Sequence, residues 1–233
     1  AFARSGWRVD LVVLNLKDEV YIDRISKDVN LIVLHVNNAR YSIFPLMKYL
    51  YLKKPKTFLV FNHELAVVLV ALRFILRLNI KIIARNISIF SYKIDEIKKK
   101  GFWGRFILLP LIKYFFKKVD HVINQSQNMQ EDLVKLYPNL DSCSSIIYNP
   151  ISTYIGEYIN KNNLTKIKKK NYLLCVGRLE PVKAIHYAIE GFAGIANQFP
   201  NLRLKIVGKG ILEGELKQKA IDFSISNKVD FEG

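Results

Sequence analysis

Short runs rich in Val and Ile recur along this chain, at residues 9–16, 30–36, 57–62, 80–85, 121–125, 145–148, 172–176, 202–207 and 229–231. Their length and β-branched content read as strands. Segments 42–51, 64–78, 127–137, 184–199 and 212–223 place apolar residues at helical spacing instead, and most strands are separated by such a segment. Several strands are apolar on both faces, which in a parallel sheet means cover on both sides. Alternating strand and helix with doubly buried strands predicts an α/β fold, a parallel sheet with helices packed on its faces.

The 233 residues suffice for one large domain or two modest ones, each with its own core. The alternation breaks at 151–170, which holds Gly156, several Asn and the cluster Lys166, Lys168, Lys169 and Lys170 without a sustained apolar pattern. This divides the chain into a domain at 1–150, a connection at 151–170 and a second domain at 171–233. A long surface loop within one domain is the alternative. The two cysteines, Cys143 and Cys175, suggest neither a disulfide framework nor a thiolate metal site, and a reducing cytoplasm is the simplest compartment. The longest apolar stretch, 106–112, is short and contains Pro110, so no segment is expected to cross a bilayer. The opening Ala1-Phe2-Ala3-Arg4-Ser5-Gly6 lacks a methionine and reads as the inside of a helix, so an upstream segment is expected.

Net charge is +16, which predicts attraction to nucleic acid, an anionic membrane surface or a phosphorylated ligand. Residues 1–150 carry 23 Lys and Arg against 12 Asp and Glu, and residues 151–233 carry 13 against 8, so the first part is the more basic. Polar residues gather where strands end: Asn62 and His63, Arg85 and Asn86, Ser126, Gly177 and Arg178, and Gly208-Lys209-Gly210. Open parallel sheets bind ligands outside those strand ends. In Gly177-Arg178-Leu179-Glu180-Pro181-Val182-Lys183 a strand stops at a glycine, turns and feeds a helix. Unpaired N–H groups at a helix start favour an anion, and Arg178 and Lys183 add full charges there. An arginine grips phosphate oxygens with two parallel N–H bonds and a lysine acts as a mobile point charge, so the pair suits a diphosphate. A surface turn with two solvated cations fits the same residues.

At this point the chain resembles a retaining glycosyltransferase of family 4, the "glycosyl transferases group 1" type with the GT-B fold of two Rossmann-like domains facing a cleft. The residues that carry the resemblance in the second part are Tyr172-Leu173-Leu174-Cys175-Val176-Gly177-Arg178-Leu179, Lys183, Ala188-Ile189-Glu190-Gly191-Phe192 and Phe199-Pro200-Asn201-Leu202-Arg203-Leu204. They continue with Ile206-Val207-Gly208-Lys209-Gly210 and Val229-Asp230-Phe231-Glu232-Gly233. Arg4-Ser5-Gly6-Trp7-Arg8-Val9, Val122-Ile123-Asn124-Gln125-Ser126 and Ile147-Tyr148-Asn149-Pro150 match more loosely. The resemblance implies that Arg178 and Lys183 hold the donor diphosphate and stabilise charge growing on the departing nucleoside diphosphate, where fixed cations contribute most in the transition state. It implies Gly177, Gly208 and Gly210 as donor-binding turns, His63 as a cleft-facing residue near the sugar, and Arg85, Asn86 and Ser126 as acceptor or cleft contacts. His63 equally suits a helix cap or packing role, and Arg85 a solvated one. No metal or other cofactor is expected, because the cations do that work and no Asp-x-Asp occurs; Asp230 and Glu232 read as ordinary polar residues at a strand end. Lys183 is followed by Ala184 where the family often has glycine. The family's first glycine loop and its acidic pair would fall outside residues 1–233, so the second domain is expected to be incomplete and this chain alone inactive.

Residues 98–118 hold seven cations and no acid, with aromatics at both ends. Lys99, Lys100, Trp103, Arg105 and Phe106 suit an in-plane helix at an anionic membrane surface. A core-facing helix with basic ends suits the same composition. The function expected is transfer of a sugar, with a uridine diphosphate sugar as the donor, to a glycan or lipid-linked acceptor with retention. The setting is envelope polysaccharide synthesis, in the cytoplasm at the inner face of the cell membrane. A dinucleotide-dependent oxidoreductase is disfavoured by the absence of Gly-x-Gly-x-x-Gly. The remaining alternative is a basic, nonenzymatic α/β protein that binds nucleic acid or membrane; no nucleic-acid module is recognisable, and nucleic acid is not expected as a partner.

Overall fold

The computed structural model describes residues 2–17, 22–150, 153–162 and 170–233. The chain divides into two compact units, Ala1–Pro150 and Ile151–Gly233. In the first unit, β1 (Val9–Val13) and β2 (Val29–Val33) pair in parallel. A separate parallel sheet follows the order β3 (Thr57–Val60), β4 (Lys81–Arg85), β5 (His121–Asn124), β6 (Ser144–Ile146). Between these strands lie α1 (Ile43–Lys53), α2 (His63–Ile75), α3 (Phe90–Lys98), α4 (Gly101–Trp103), α5 (Leu109–Phe116) and α6 (Gln127–Leu136). In the second unit, α7 (Thr153–Asn162) precedes a parallel sheet of β7 (Tyr172–Val176), β8 (Arg203–Val207) and β9 (Val229–Glu232), with α8 (Ile185–Ile195) and α9 (Glu213–Asp222) between the strands.

All nine strands expected from the sequence are present, and every described strand pair is parallel. The doubly covered strand is β5, whose Val122 and Asn124 are fully buried while His121 and Ile123 are half-buried. β7 departs from that expectation: Tyr172, Leu173, Leu174 and Val176 stay exposed, and β8 is its one ladder partner among the described residues.

Each unit has its own apolar core. Ile82, Ala84 and Val122 of the first sheet pack against Leu69, Val70, Ile94, Ile97, Ile112, Phe116 and Leu133 from the helices. Leu204, Ile206 and Val229 pack against Ile189, Phe192, Leu216 and Ala220 in the second. Local chemistry sets the helix ends. Asn62 begins α2 by accepting from the N–H groups of Glu64 (2.8 Å) and Leu65 (3.1 Å), satisfying two of the free donors of a helix start. Ser126 caps α6 through Met129 N–H at 3.3 Å.

Two helices were not expected. α3 buries Phe90, Ile94 and Ile97, an i, i+4, i+7 stripe. α7 lies inside the region read as a connection; residues 151–152 and 163–169, including Lys166, Lys168 and Lys169, fall outside the described residues. Residues 101–116 form one helical run interrupted by a π turn, Gly104–Leu108. Pro110 explains it: with no N–H to offer the carbonyl four residues back, the ladder widens and Leu109 N–H donates to Gly104 O instead.

Candidate functional site

The second unit builds a tight turn where β7 and β8 end. Gly177 N–H donates to Val207 O (3.0 Å), Leu179 N–H to Lys209 O (3.0 Å), and Gly208 N–H to Glu232 O (2.9 Å). The turns at 177–179 and 208–210 therefore lie backbone against backbone. A Cβ at Gly208 would overlap the Gly177 carbonyl oxygen, one at Gly210 would lie 2.7 Å from Leu179 N, and Gly208 has φ +144°. Only glycine suits that position. A Cβ at Gly177 would meet Lys183 Cδ at 3.8 Å, so the Lys183 stem lies across the strand-end glycine. Arg178 is 71% exposed along its side chain and pairs with Glu180 Oε1 at 2.7 Å. α8 starts beyond Ala184, with φ 52° and ψ 31° and no side-chain cap. Ala184 thus takes the left-handed conformation of a glycine. The turn presents two cations, Arg178 paired with Glu180 and Lys183 beside Gly177, and an uncapped helix start, the chemistry for an anion.

In the first unit, the strand-end residues form a buried polar line. His63 is 7% exposed and sits edge-on to Phe90 (centroids 4.7 Å) and near Phe116 (5.4 Å). Its Nε2 lies 2.9 Å from Asn86 Oδ1. Asn86 and Asn124 are 1% and 0% exposed, and Asn86 Nδ2 donates to Asn124 Oδ1 at 2.7 Å. Burial pushes the His63 pKa below its ordinary value; the Asn86 hydrogen bond opposes that shift, and the Lys93 charge adds to it. Arg85 Nη2 donates to Asn149 Oδ1 at 2.6 Å, and Asn149 Nδ2 to Gln125 Oε1 at 3.0 Å. Arg85 Nε is buried without a hydrogen-bond partner among the described residues. The Ser126 hydroxyl is engaged as the α6 cap. Asp230 pairs with Arg203 and Glu232 with Lys205, as befits strand-end polar residues. Among the described residues no group of three His, Cys, Asp or Glu side chains is placed to hold a metal.

Residues 158–233 match the family model for glycosyl transferases group 1. The chain is 30% identical over 154 residues to the O-antigen chain mannosyltransferase RfbU of Salmonella typhimurium, covering 66% of this chain and 39% of that protein. It is 26% identical over 150 residues to an uncharacterized glycosyltransferase of Methanocaldococcus jannaschii, covering 62% and 35%. The chain therefore spans well under half the length of these curated relatives. Among solved structures it is similar to sucrose-phosphate synthase from Thermosynechococcus elongatus (TM-score 0.69, 15% identity, 99% of this chain and 61% of that one). It also resembles Anabaena HepE solved with UDP (TM-score 0.58, 16% identity, 88% and 56%). At those identities the likeness speaks for the fold: the α/β class with parallel sheets, as in GT-B glycosyltransferases, is the observed one.

Sequence reasoning missed Asn124, Gln130 and Ser144 as members of the polar line. Asn124 gave the signal, since an amide inside a strand as apolar as His121–Asn124 has to find buried partners.

Proposed function

We propose that this chain serves a family 4, GT-B glycosyltransferase that moves a sugar from a nucleotide-sugar, a uridine diphosphate sugar being the expected donor, to a glycan or lipid-linked acceptor with retention. The carrying observation is the turn after β7, where Arg178 and Lys183 flank Gly177 beside the glycines of the 208–210 turn. As the glycosidic bond breaks, negative charge grows on the leaving phosphate, and Arg178 and Lys183 neutralise it. Gly177, Gly208 and Gly210 let the donor approach the backbone. His63 contacts the sugar, Arg85 and Ser126 lie toward the acceptor, and Asn86 acts through His63. The RfbU likeness supports an envelope polysaccharide as product, and the fold shared with a UDP complex supports the donor class. Lys99, Lys100, Trp103, Arg105 and Phe106 bring the protein to the anionic inner face of the cell membrane.

Calorimetric titration with a panel of nucleotide-sugars and with UDP tests the donor reading. Arg178→Ala is expected to weaken UDP binding about 10- to 100-fold, the worth of charge-assisted hydrogen bonds, and to leave uridine binding unchanged. Equal UDP affinity in the variant removes Arg178 from the site.

A further inference from the structure

The polar line that reaches His63 runs further than its first two bonds, and each bond has a direction. Asn86 Nδ2 donates to Asn124 Oδ1 (2.7 Å), Asn124 Nδ2 to Gln130 Oε1 (2.5 Å), and Gln130 Nε2 to Ser144 Oγ (2.6 Å). Ser144 Oγ in turn donates to the Asp141 carbonyl at 3.3 Å. A carbonyl oxygen can only accept, so Ser144 spends its one hydrogen there and faces Gln130 as an acceptor. Gln130 must then offer its amide hydrogens to Ser144 and its oxygen to Asn124. The same constraint passes through Asn124 and Asn86, each of which has one donating and one accepting end. Asn86 therefore presents Oδ1 to His63, and only a protonated Nε2 satisfies it. Reversing a link leaves two donors or two acceptors facing each other, a mismatch of high cost at the buried His63, Asn86 and Asn124, while Gln130 and Ser144 are half-buried.

We infer that Asn86, Asn124, Gln130 and Ser144 are positioning residues that hold His63 as the Nε2–H tautomer from a backbone carbonyl five hydrogen bonds away, leaving Nδ1 as a hydrogen-bond acceptor. An acceptor nitrogen takes the O–H of a carbohydrate hydroxyl, which deepens the sugar-contact role proposed above and rests on that reading. The tautomer itself does not.

The test uses nitrogen-15 NMR of the His63 ring at pH 7.5 in the 233-residue protein, with two substitutions that reach the ring only through Asn124 and Asn86. The wild type is expected to show a proton on Nε2 and a lone pair on Nδ1. Gln130→Glu keeps an acceptor toward Asn124 and should leave that pattern intact. Gln130→Lys puts a donor there, turns both asparagine amides around and should interchange the two ring-nitrogen shifts. A wild-type proton on Nδ1, or an unchanged pattern in a folded Gln130→Lys protein, overturns the inference. Should Gln130→Lys fail to fold, Ser144→Ala removes the anchor and should populate both tautomers; a single, unaltered pattern there overturns it equally. The functional layer is read separately, as the ratio of UDP-glucose to UDP affinity. Interchange of the shifts with loss of roughly fivefold in that ratio, the worth of one hydrogen bond, supports both layers. Interchange with the ratio unchanged retires His63 as a sugar contact and leaves the tautomer chain standing.

Discussion

Ala184 and Gly208 show how single backbone positions set the candidate donor turn, and they predict opposite outcomes. Ala184 holds φ 52° at the start of α8, where a Cβ costs about 1–2 kcal/mol relative to a right-handed residue. Ala184→Gly relieves that and gives back part through the looser unfolded chain, so thermal melting should show a net gain of about 0.5–1 kcal/mol. Gly208→Ala should lose at least about 1–3 kcal/mol, because its Cβ has to displace the Gly177 carbonyl at a φ of +144°. His63 adds a pH dependence. Its pKa is lowered from the ordinary 6.5, first by burial and then by Lys93, against Asn86 and the Glu64 charge. The unfolded chain therefore takes up the proton first, and stability rises with pH through this window. Stability should fall as pH drops below about 6.5, by at most about 1.4 kcal/mol per pH unit for one proton. His63→Gln keeps an N–H for Asn86 and removes the titration, so melting temperatures compared at pH 7.5 and 5.5 should drop less in the variant than in the wild type.

The joint between α3 and the helical run at 101–116 depends on two glycines with different tasks. Gly101 turns the chain at φ +72°, and Gly104 lies so close to α3 that a Cβ would overlap the Ile97 carbonyl oxygen and come within 2.9 Å of Lys100 Cβ. Gly104→Ala should cost about 1–3 kcal/mol, read by chemical denaturation, whereas Gly191→Ala within α8 meets open space and should gain about 0.5–1 kcal/mol from helix propensity. This joint also marks the border of what the sequence discloses. The nine strands were legible because their runs are apolar and β-branched, as burial in a parallel sheet demands, although β7 carries such a run with most of its side chains exposed. α3 escaped because polar Ser91, Lys93, Asp95 and Glu96 dilute its stripe, although Phe90, Ile94 and Ile97 carry the period. α7 escaped because its described residues are mostly exposed, so no buried stripe marks it. At the candidate site, the strand, turn and helix that carry Arg178 and Lys183 were legible from a local pattern. The line from His63 to Ser144 was not, since it joins residues up to 81 positions apart that only the order β4, β5, β6 brings side by side.

The full chain carries a charge of +16, and the 98–118 segment joins seven of its cations to exposed aromatics. The helical run turns Leu109, Ile112 and Phe116 into the core, so its inward face is already occupied. Phe102 and Trp103 of the same run are 75% and 55% exposed, with the Phe102 and Phe106 rings tilted by 36° at 4.9 Å between centroids. Lys118 Nζ sits 4.0 Å from the Tyr114 ring centroid and 4.7 Å from that of Phe74 on α2, an ammonium held over exposed rings. The core-facing alternative thus describes part of this run, and the proposed membrane contact rests on its exposed aromatics and cations. No helix of the described residues is long and apolar enough to cross a membrane, so the proposed contact is in-plane. Cations near an anionic surface contribute about 1 kcal/mol each, and the screening length shrinks from about 10 Å at 0.1 M salt to about 3 Å at 1 M. Co-sedimentation with phosphatidylserine-containing vesicles should therefore be strong at low salt and lost at high salt, with phosphatidylcholine vesicles leaving the protein in solution. Lys99→Glu with Arg105→Glu should abolish the low-salt binding, while Trp103→Ala with Phe106→Ala should weaken it without changing its salt dependence. Absence of binding to anionic vesicles at low salt, or equal binding to neutral ones, rejects the membrane role and returns this helix to the fold alone.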